Sequence, residues 1–223
     1  MKKQIVVIGL GRFGASLAST LYGMGYEVLA IDSHEERVQN IASQVTRAVQ
    51  ADSTNEIALE DLGVGNFDAA VVAIGYNVLN SILATVLLKK LGVAYIVARA
   101  KDDLHGRILK QVGANVVVYP ESELGARVAH GIDIPEVLDY IPLTPKYGVT
   151  KLSAPPHLVG KTLRDAGFGQ GGKSELVVLL IHRKKEVLLS PGRSEEIRHD
   201  DTFIIAGTDQ SLEEIIAKPK NSR

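Results

Sequence analysis

Short runs of Val, Ile and Ala recur at regular intervals along the first half of the chain. Most of these runs are continuously apolar, which is the pattern of strands covered on both faces of a parallel sheet. Segments of helical periodicity separate them, so the pattern predicts strands that alternate with helices. The predicted strands are Gln4–Ile8, Glu27–Ile31, Arg47–Ala51, Ala69–Ile74, Tyr95–Arg99 and Asn115–Tyr119. We therefore predict an α/β fold with a Rossmann-like, doubly wound parallel sheet of six strands.

Glycine and proline positions divide this pattern into helices and domains. Gly25, Gly63, Gly92 and Gly113 each follow a helical stretch, where a left-handed residue can end a helix. Prolines then interrupt the pattern, so we predict a first domain over 1–134, a connector over 135–148 and a small α+β domain over 149–223. The small domain is predicted to contain strands Val149–Ser153, Glu175–Arg183, Glu186–Leu189 and Thr202–Ala206, and helices Leu158–Ala166 and Ser211–Lys218.

Composition and charge exclude several classes of protein. The 223 residues carry a formal net charge of −1 and 45% hydrophobic residues, so the chain is too apolar for a disordered tail and lacks the basic excess of nucleic-acid-binding proteins. The absence of cysteine excludes disulfides and thiolate chemistry. The N-terminus has no signal-peptide pattern, and the apolar segment Val78–Leu91 is too short for a membrane span. We expect a cytoplasmic protein, no part of which crosses the membrane.

The first predicted strand runs into the motif Gly9-Leu10-Gly11-Arg12-Phe13-Gly14, which opens a predicted helix. In a dinucleotide-binding turn, Gly9 permits the tight turn, Gly11 lets the backbone approach a phosphate and Gly14 lets the helix pack on the strand. Asp32 ends the second strand, 18 residues after Gly14, where a carboxylate accepts hydrogen bonds from ribose hydroxyls. This carboxylate disfavours NADP, and we place Arg37 on the helix surface.

Further polar residues follow the other strands, at the edge where open α/β sheets bind ligands. Asp52, which precedes Ser53, is either an acceptor for an adenine amino group or an N-cap for the next helix. Arg12 either reaches a phosphate, in its own or a neighbouring subunit, or is solvated. Glu121, on the same edge as Arg99, is either a ligand of a divalent cation at the phosphates or a first-turn helix carboxylate.

Several of these segments together resemble the RCK (KTN) family. They are Ile8–Gly14, Asp52-Ser53-Thr54, Val72–Gly75, Val97–Ala100 and Gly113–Glu121. Within the family, the chain most resembles the cytoplasmic gating subunits of Ktr-type potassium uptake systems. The resemblance implies a homo-octameric ring of dimers that docks on an integral-membrane potassium channel or transporter. It also implies binding of ATP or ADP, with NAD or NADH as further ligands and Mg²⁺ or Ca²⁺ at Glu121. The family's ligand positions fall on Arg12, Asp32, Ser33, His34, Asp52, Ser53, Ala73, Ile74, Gly75, Arg99, Ala100, Lys101, His105 and Glu121. With Gly9, Gly11, Phe13 and Gly14 of the glycine motif, these residues make up the predicted nucleotide-binding site.

The loop over 168–175 differs from the family. The arginine and asparagine that the resemblance implies for cyclic di-AMP binding in the small domain are missing, which argues against that ligand. Residues 167–174 also match the Walker A pattern, but a P-loop needs a strand before it and a helix after it. The predicted order here is the reverse, so we do not expect phosphate binding there.

Two other functions compete with that of a regulatory binding module. An NAD-dependent oxidoreductase would need a proton donor or acceptor beside the nicotinamide, and the six histidines form no recognisable catalytic or metal motif. A regulator that reads NADH on DNA would need a basic DNA-binding element, which the pattern does not contain. We expect no enzymatic activity. The apolar segment Val78–Leu91 is either an assembly surface or a helix buried on its own sheet.

Overall fold

The computed structural model describes residues 2–133, 136–144, 146–169 and 175–217. The chain divides into two compact units, 1–121 and 122–223. The first contains a parallel sheet in the order β3-β2-β1-β4-β5-β6. Its strands are β1 (Gln4–Ile8), β2 (Glu27–Asp32), β3 (Arg47–Gln50), β4 (Ala69–Val72), β5 (Tyr95–Arg99) and β6 (Val116–Val118). This confirms the predicted six-stranded, doubly wound sheet.

Helices follow the strands of this sheet. Those that bury its two faces are α1 (Arg12–Gly23), α2 (Glu35–Ile41), α3 (Glu56–Asp61), α4 (Val78–Lys90) and α5 (Asp103–Gln111). A further helix, α6 (Pro120–Asp133), follows β6, and most of its residues belong to the second unit. Successive β1 residues belong to different cores: Val6 and Ile8 pack in one cluster, whereas Ile5 and Val7 pack in another. Burial on both sides explains why the strands read as continuous apolar runs. The four predicted helix-ending glycines all have left-handed φ angles, between +69° and +123°.

The second unit is built on an antiparallel sheet in the order β10-β9-β11-β8-β7. Its elements are β7 (Val137–Pro142), β8 (Tyr147–Ser153), β9 (Leu176–Arg183), β10 (Glu186–Leu189), β11 (Asp201–Thr208) and helix α7 (Asp209–Ile216). One face of the sheet is covered by an apolar core that includes Leu152, Phe168, Ile181 and Phe203. The four predicted strands and the last helix are therefore present, with small shifts at their ends.

Two predictions for this part of the chain need correction. The segment 135–148, predicted as a connector, contains the edge strand β7, which pairs with β8. The predicted helix Leu158–Ala166 is wrong: only the 3₁₀ turn Pro156–Leu158 forms. The N–H groups of Gly160 and Leu163 donate to the carbonyls of Ile197 and Glu195 at 2.9 Å, so part of this backbone pairs with a distant segment. The Walker A match continues into 170–174, which lies outside the described residues.

A buried ion pair joins β9 to β11. Arg183 donates from Nε and Nη2 to the two oxygens of Asp201 at 2.7 and 2.9 Å, and from Nη1 to Glu195 at 2.8 Å. The side chains of Arg183 and Asp201 are 8% and 0% exposed. Burial alone raises the pKa of Asp201, but the hydrogen bonds from Arg183 and from the Arg198 N–H outweigh it and hold the pKa below its ordinary value. The carboxylate therefore stays charged inside the fold.

Replacing Arg183 with Met should destabilise the second unit. The change leaves the Asp201 charge buried without its partner, which costs about 3–5 kcal/mol in comparable buried pairs. We expect this loss in the free energy of unfolding of the full chain, measured by urea denaturation at neutral pH. Because the pKa of Asp201 is lowered in the folded protein, the ion pair stabilises the wild type at neutral pH. This stabilisation should be lost as the pH falls below 3.8, the ordinary pKa of the carboxyl, and Asp201 becomes protonated.

Lys184→Met provides the matched control, because this neighbouring side chain is 77% exposed. It should change stability by less than about 0.5 kcal/mol. The double variant Arg183→Met/Asp201→Leu should recover part of the loss, since both charges are then removed. Equal stability of Arg183→Met and the wild type would contradict the assigned role of the pair.

Candidate functional site

The glycine-rich turn between β1 and α1 lies against the end of β4. Gly9 has a φ of +93°, and a Cβ there would lie 3.1 Å from backbone atoms of Ala73 and Ile74. A Cβ on Gly14 would overlap the carbonyl oxygen of Gly9 and lie 2.9 Å from the Cβ of Ala73. Both positions therefore need glycine. By contrast, a Cβ on Gly11 would meet no atom within 4 Å, so its side faces open space.

The Asp32 carboxylate at the end of β2 connects this turn to the next one. Its Oδ2 accepts from the Leu10 N–H at 2.7 Å, and its Oδ1 accepts from the His34 N–H at 2.9 Å. The side chain is 4% exposed. Burial by itself raises the pKa of Asp32, but hydrogen bonds from Leu10, His34 and Arg37 outweigh this effect and lower it. The site therefore contains a buried, ionised carboxylate where the sequence predicts a ribose acceptor.

Asp52 and Ser53 follow β3 on the same edge. Asp52 Oδ1 accepts from the N–H and the hydroxyl of Thr54, at 2.9 and 2.7 Å, and these bonds lower its pKa. Helix α3 is capped by Asn55, whose side chain accepts from the Ala58 N–H at 3.3 Å. The alternative interpretation of Asp52 as the N-cap is thus wrong. Ser53 is buried, at 8% exposure.

Arg99 and Glu121 form an ion pair at the other end of the same edge. The guanidinium lies over Gly75, where any Cβ would clash with it. The Arg99 side chain is 15% exposed and that of Glu121 is 65% exposed. Glu121 lies in the first turn of α6, as one of the two interpretations expected. In the part of the chain that the structure describes, no three His, Asp or Glu side chains cluster as a metal site. A cation at Glu121 would therefore need ligands from a bound phosphate.

His105, one of the ligand positions that the family resemblance implies, is almost completely buried. It is 2% exposed. Its backbone N–H donates to the N-cap Asp102 at 2.9 Å, and its Nδ1 accepts from the Lys101 N–H at 3.2 Å. Burial, the largest influence, lowers the pKa of His105. The imidazole is therefore neutral at pH 7. Its buried Nε2 has no hydrogen-bond partner among the described residues.

The remaining predicted residues fall into two groups. Ser33, His34, Ala73, Ile74, Ala100 and Lys101 lie at the ends of β2, β4 and β5, next to the residues described above. Arg12, in contrast, lines a groove of about 340 Å³ between α1 and α2, which also contains Arg37 and Ser16. Phe13 is half-buried in the first turn of α1. The structure thus brings the predicted residues to one edge of the sheet, with Arg12 at its α2 side.

Sequence reasoning missed the role of Arg37 and the burial of His105. Arg37 lies on the surface of α2 as predicted, at 48% exposure, but its Nη1 also lies 3.3 Å from Asp32 Oδ2, a contact that the sequence does not predict. Both residues had a signal in the sequence. Arg37 falls in the first turn of the helix that follows Asp32, and His105 shares helical spacing with the buried Leu109.

A parallel doubly wound sheet with a glycine-rich turn and an acidic residue at the end of β2 defines a protein of the nucleotide-binding Rossmann class. Models of the TrkA-N domain and the TrkA-C domain match residues 5–120 and 151–219. The chain is 41% identical over 208 residues to Ktr system potassium uptake protein C of Bacillus subtilis (strain 168), covering 93% of each chain. The chain therefore belongs to the RCK (KTN) family and is a homologue of Ktr potassium uptake proteins.

Two solved structures share this fold. The GsuK RCK domain superimposes with a TM-score of 0.67 at 19% identity, over 99% of this chain and 49% of that one. A GsuK channel bound to NAD gives 0.66 at 19% identity, over 99% of this chain and 41% of that one. This chain spans about half of the length of those chains or less. Among the described residues, no helix is long and apolar enough to cross a membrane.

Replacing Gly14 with Ala should disrupt the turn. The new methyl group overlaps backbone that the packing of α1 on β4 holds in place, and overpacking of this kind costs about 1–3 kcal/mol. We expect that loss in the free energy of unfolding of the first unit, followed by circular dichroism in urea.

Gly23→Ala is the control at the other end of α1, where a Cβ would meet no atom within 4 Å. It should leave stability unchanged or raise it by up to about 1 kcal/mol, because alanine favours the helix. If Gly14→Ala and Gly23→Ala have the same free energy of unfolding, the close approach of α1 to β4 does not explain why residue 14 is glycine.

Proposed function

We propose that this protein is the nucleotide-sensing regulatory subunit of a Ktr-type potassium uptake system. It binds ATP or ADP, with NAD or NADH as alternative ligands, and gates an integral-membrane potassium channel or transporter through a rearrangement of an oligomeric ring. The observation that carries this proposal is the match to a Ktr potassium uptake protein over 93% of both chains. The site at the carboxyl edge of the sheet supplies the chemistry that such a subunit needs. The proposed location is the inner face of the cell membrane, through the partner protein.

Each part of an adenine nucleotide has a proposed place in the site. The buried Asp32 carboxylate accepts from ribose hydroxyls, and Asp52 accepts from the adenine amino group. The open side of Gly11 and the N–H groups at the start of α1 receive phosphates. Arg99 adds a positive charge at the far end of the edge. The Ktr relative is a component of a potassium uptake system, and we propose that this protein likewise is not an enzyme.

Helix α4 supports a proposed assembly surface. Ser81, Ala84, Thr85 and Leu88 are buried against the rest of the first unit, so the helix does pack on its own sheet. Leu79, Leu83 and Val86 are 63%, 39% and 39% exposed and recur at helical spacing, which forms an apolar stripe on the outside. We assign this stripe to the contact between subunits in the proposed dimer and octameric ring. Cyclic di-AMP is not part of the proposal, because the second unit lacks the expected arginine and asparagine.

Arg12→Ala tests both nucleotide binding and phosphate sensing. We propose that Arg12 reaches the terminal phosphate of a nucleotide bound in a neighbouring subunit, which lets ATP but not ADP bridge the two subunits. Calorimetric titration of the wild type should therefore give tighter binding of ATP than of ADP. The Arg12→Ala variant should bind ATP about tenfold more weakly, as for loss of one charge-assisted hydrogen bond, while its affinity for ADP changes little.

Arg47→Ala is the control, because this exposed arginine begins β3 at the opposite edge of the sheet. Arg47→Ala should keep the wild-type difference in affinity between ATP and ADP. AMP and NAD are titrated alongside to rank the ligands. An unchanged ATP/ADP ratio in Arg12→Ala would remove the phosphate-sensing role, and a lack of binding of all four ligands would contradict the proposed function.

Glu121→Gln tests the proposed cation. In the wild type, Mg²⁺ or Ca²⁺ should tighten ATP binding, because the ion separates the phosphate charge from the Glu121 carboxylate. The neutral amide in the variant needs no such ion, so we expect at least half of the tightening to disappear. Glu60→Gln, an exposed residue at the end of α3, should respond to the ion like the wild type. An equal cation effect in all three proteins would exclude Glu121 as a ligand.

A further inference from the structure

The Asp32 carboxylate already has a full set of hydrogen-bond donors. An ionised carboxylate offers about four acceptor positions on its two oxygens. Oδ2 accepts from the Leu10 N–H at 2.7 Å and from Arg37 Nη1 at 3.3 Å. Oδ1 accepts from the His34 N–H at 2.9 Å and lies 3.0 Å from His34 Nδ1. A ribose whose hydroxyls donate to this carboxylate must therefore replace at least one of these groups.

The two backbone donors cannot leave without unfolding the site. The Leu10 N–H lies between Gly9 and Gly11 in the turn, and the His34 N–H belongs to the N-cap of α2. The side-chain donors are different, because His34 is 65% exposed and Arg37 is 48% exposed. Arg37 also has room to move, since it lines the 340 Å³ groove between α1 and α2. The 3.3 Å contact of Arg37 is the longest of the four and thus the easiest to break.

We propose that Arg37 is a specificity-determining residue that competes with ribose hydroxyls for Asp32 Oδ2 and must swing away when a nucleoside ligand binds. This inference rests on the proposed function, which assigns Asp32 to the ribose. In the ligand-free site Arg37 partly neutralises a buried carboxylate that would otherwise lack a counter-charge. A ligand whose ribose donates to Oδ2 must break this contact. Arg37 therefore reduces the gain in binding affinity that the ribose hydroxyls provide over a sugar without hydroxyls.

The test must separate this competition from the general attraction between Arg37 and phosphate. A comparison of ATP with 2′,3′-dideoxy-ATP achieves this, because both ligands carry the same triphosphate and differ only in the hydroxyls. The ratio of their dissociation constants reports on the hydroxyl contacts alone. Removing Arg37 leaves Oδ2 with one donor fewer and should raise the preference for ATP.

We would titrate the wild type, Arg37→Gln and the control Arg47→Gln with both ligands by calorimetry. The preference for ATP should rise about two- to fivefold in Arg37→Gln, as for loss of an exposed ion pair, and stay at the wild-type value in Arg47→Gln. Glutamine keeps the helical propensity of arginine, so α2 should remain folded.

A preference that is unchanged or reduced in Arg37→Gln, in a protein that does distinguish the two ligands, overturns this inference alone. If the wild type and Arg37→Gln both bind the two ligands equally, Asp32 is not the ribose acceptor, and both this inference and that assignment fail. If the wild type binds neither ligand, the proposed function itself is contradicted. The three failures are thus distinguishable in one set of titrations.

Discussion

The hydrogen bonds of the Asp32 carboxylate hold together the carboxyl edge of the parallel sheet, where the candidate site lies. One buried charge at the end of β2 accepts from the turn that follows β1 and from the N–H that begins α2. Without it, the buried Leu10 N–H would lose its acceptor, at a cost comparable to any unsatisfied buried donor. The carboxylate in turn stays ionised because these donors surround it. In the proposed function, the acceptor atoms that hold the fold together are therefore also those that a ribose would use, so a ligand would have to share them with the protein.

The shape of the candidate site also depends on glycines that allow close approach. Gly9 and Gly14 let α1 approach the end of β4, the neighbour of β1 on the side away from β2. The chain order reverses between β1 and β4, which is the position where open α/β sheets bind ligands. Gly75 leaves room for the Arg99 guanidinium, which would have to move from its position if residue 75 carried a Cβ. The shape of the site is thus set by missing side chains as much as by the polar ones.

Much of this could be predicted from the sequence, because its signals are local. A strand buried on both faces is apolar throughout, and a left-handed glycine ends a helix wherever it occurs. The helix predicted over Leu158–Ala166 does not form. The Gly160 and Leu163 N–H groups donate to carbonyls more than 30 residues away, and a local hydrophobic pattern contains no information about such pairing. Strand β7 was not predicted for a related reason. It is a strand because it pairs with β8, and this pairing is not visible in its own sequence. The contact of Arg37 with Asp32 could not be predicted either. The residue type indicates that an arginine is usually exposed, but it does not indicate which group the side chain contacts.

The ion pair of Arg99 and Glu121 gives the proposed regulation a physical route. Glu121 is the last residue of the first compact unit and lies in the first turn of α6, the helix through which the chain passes into the second unit. A phosphate that approaches Arg99 competes with Glu121 for the guanidinium and repels the carboxylate, unless a cation lies between them. The more negative the terminal phosphate, the stronger this competition becomes. In the proposed function, the charge of the bound nucleotide therefore acts on the residue where the chain leaves the first unit, at the start of α6.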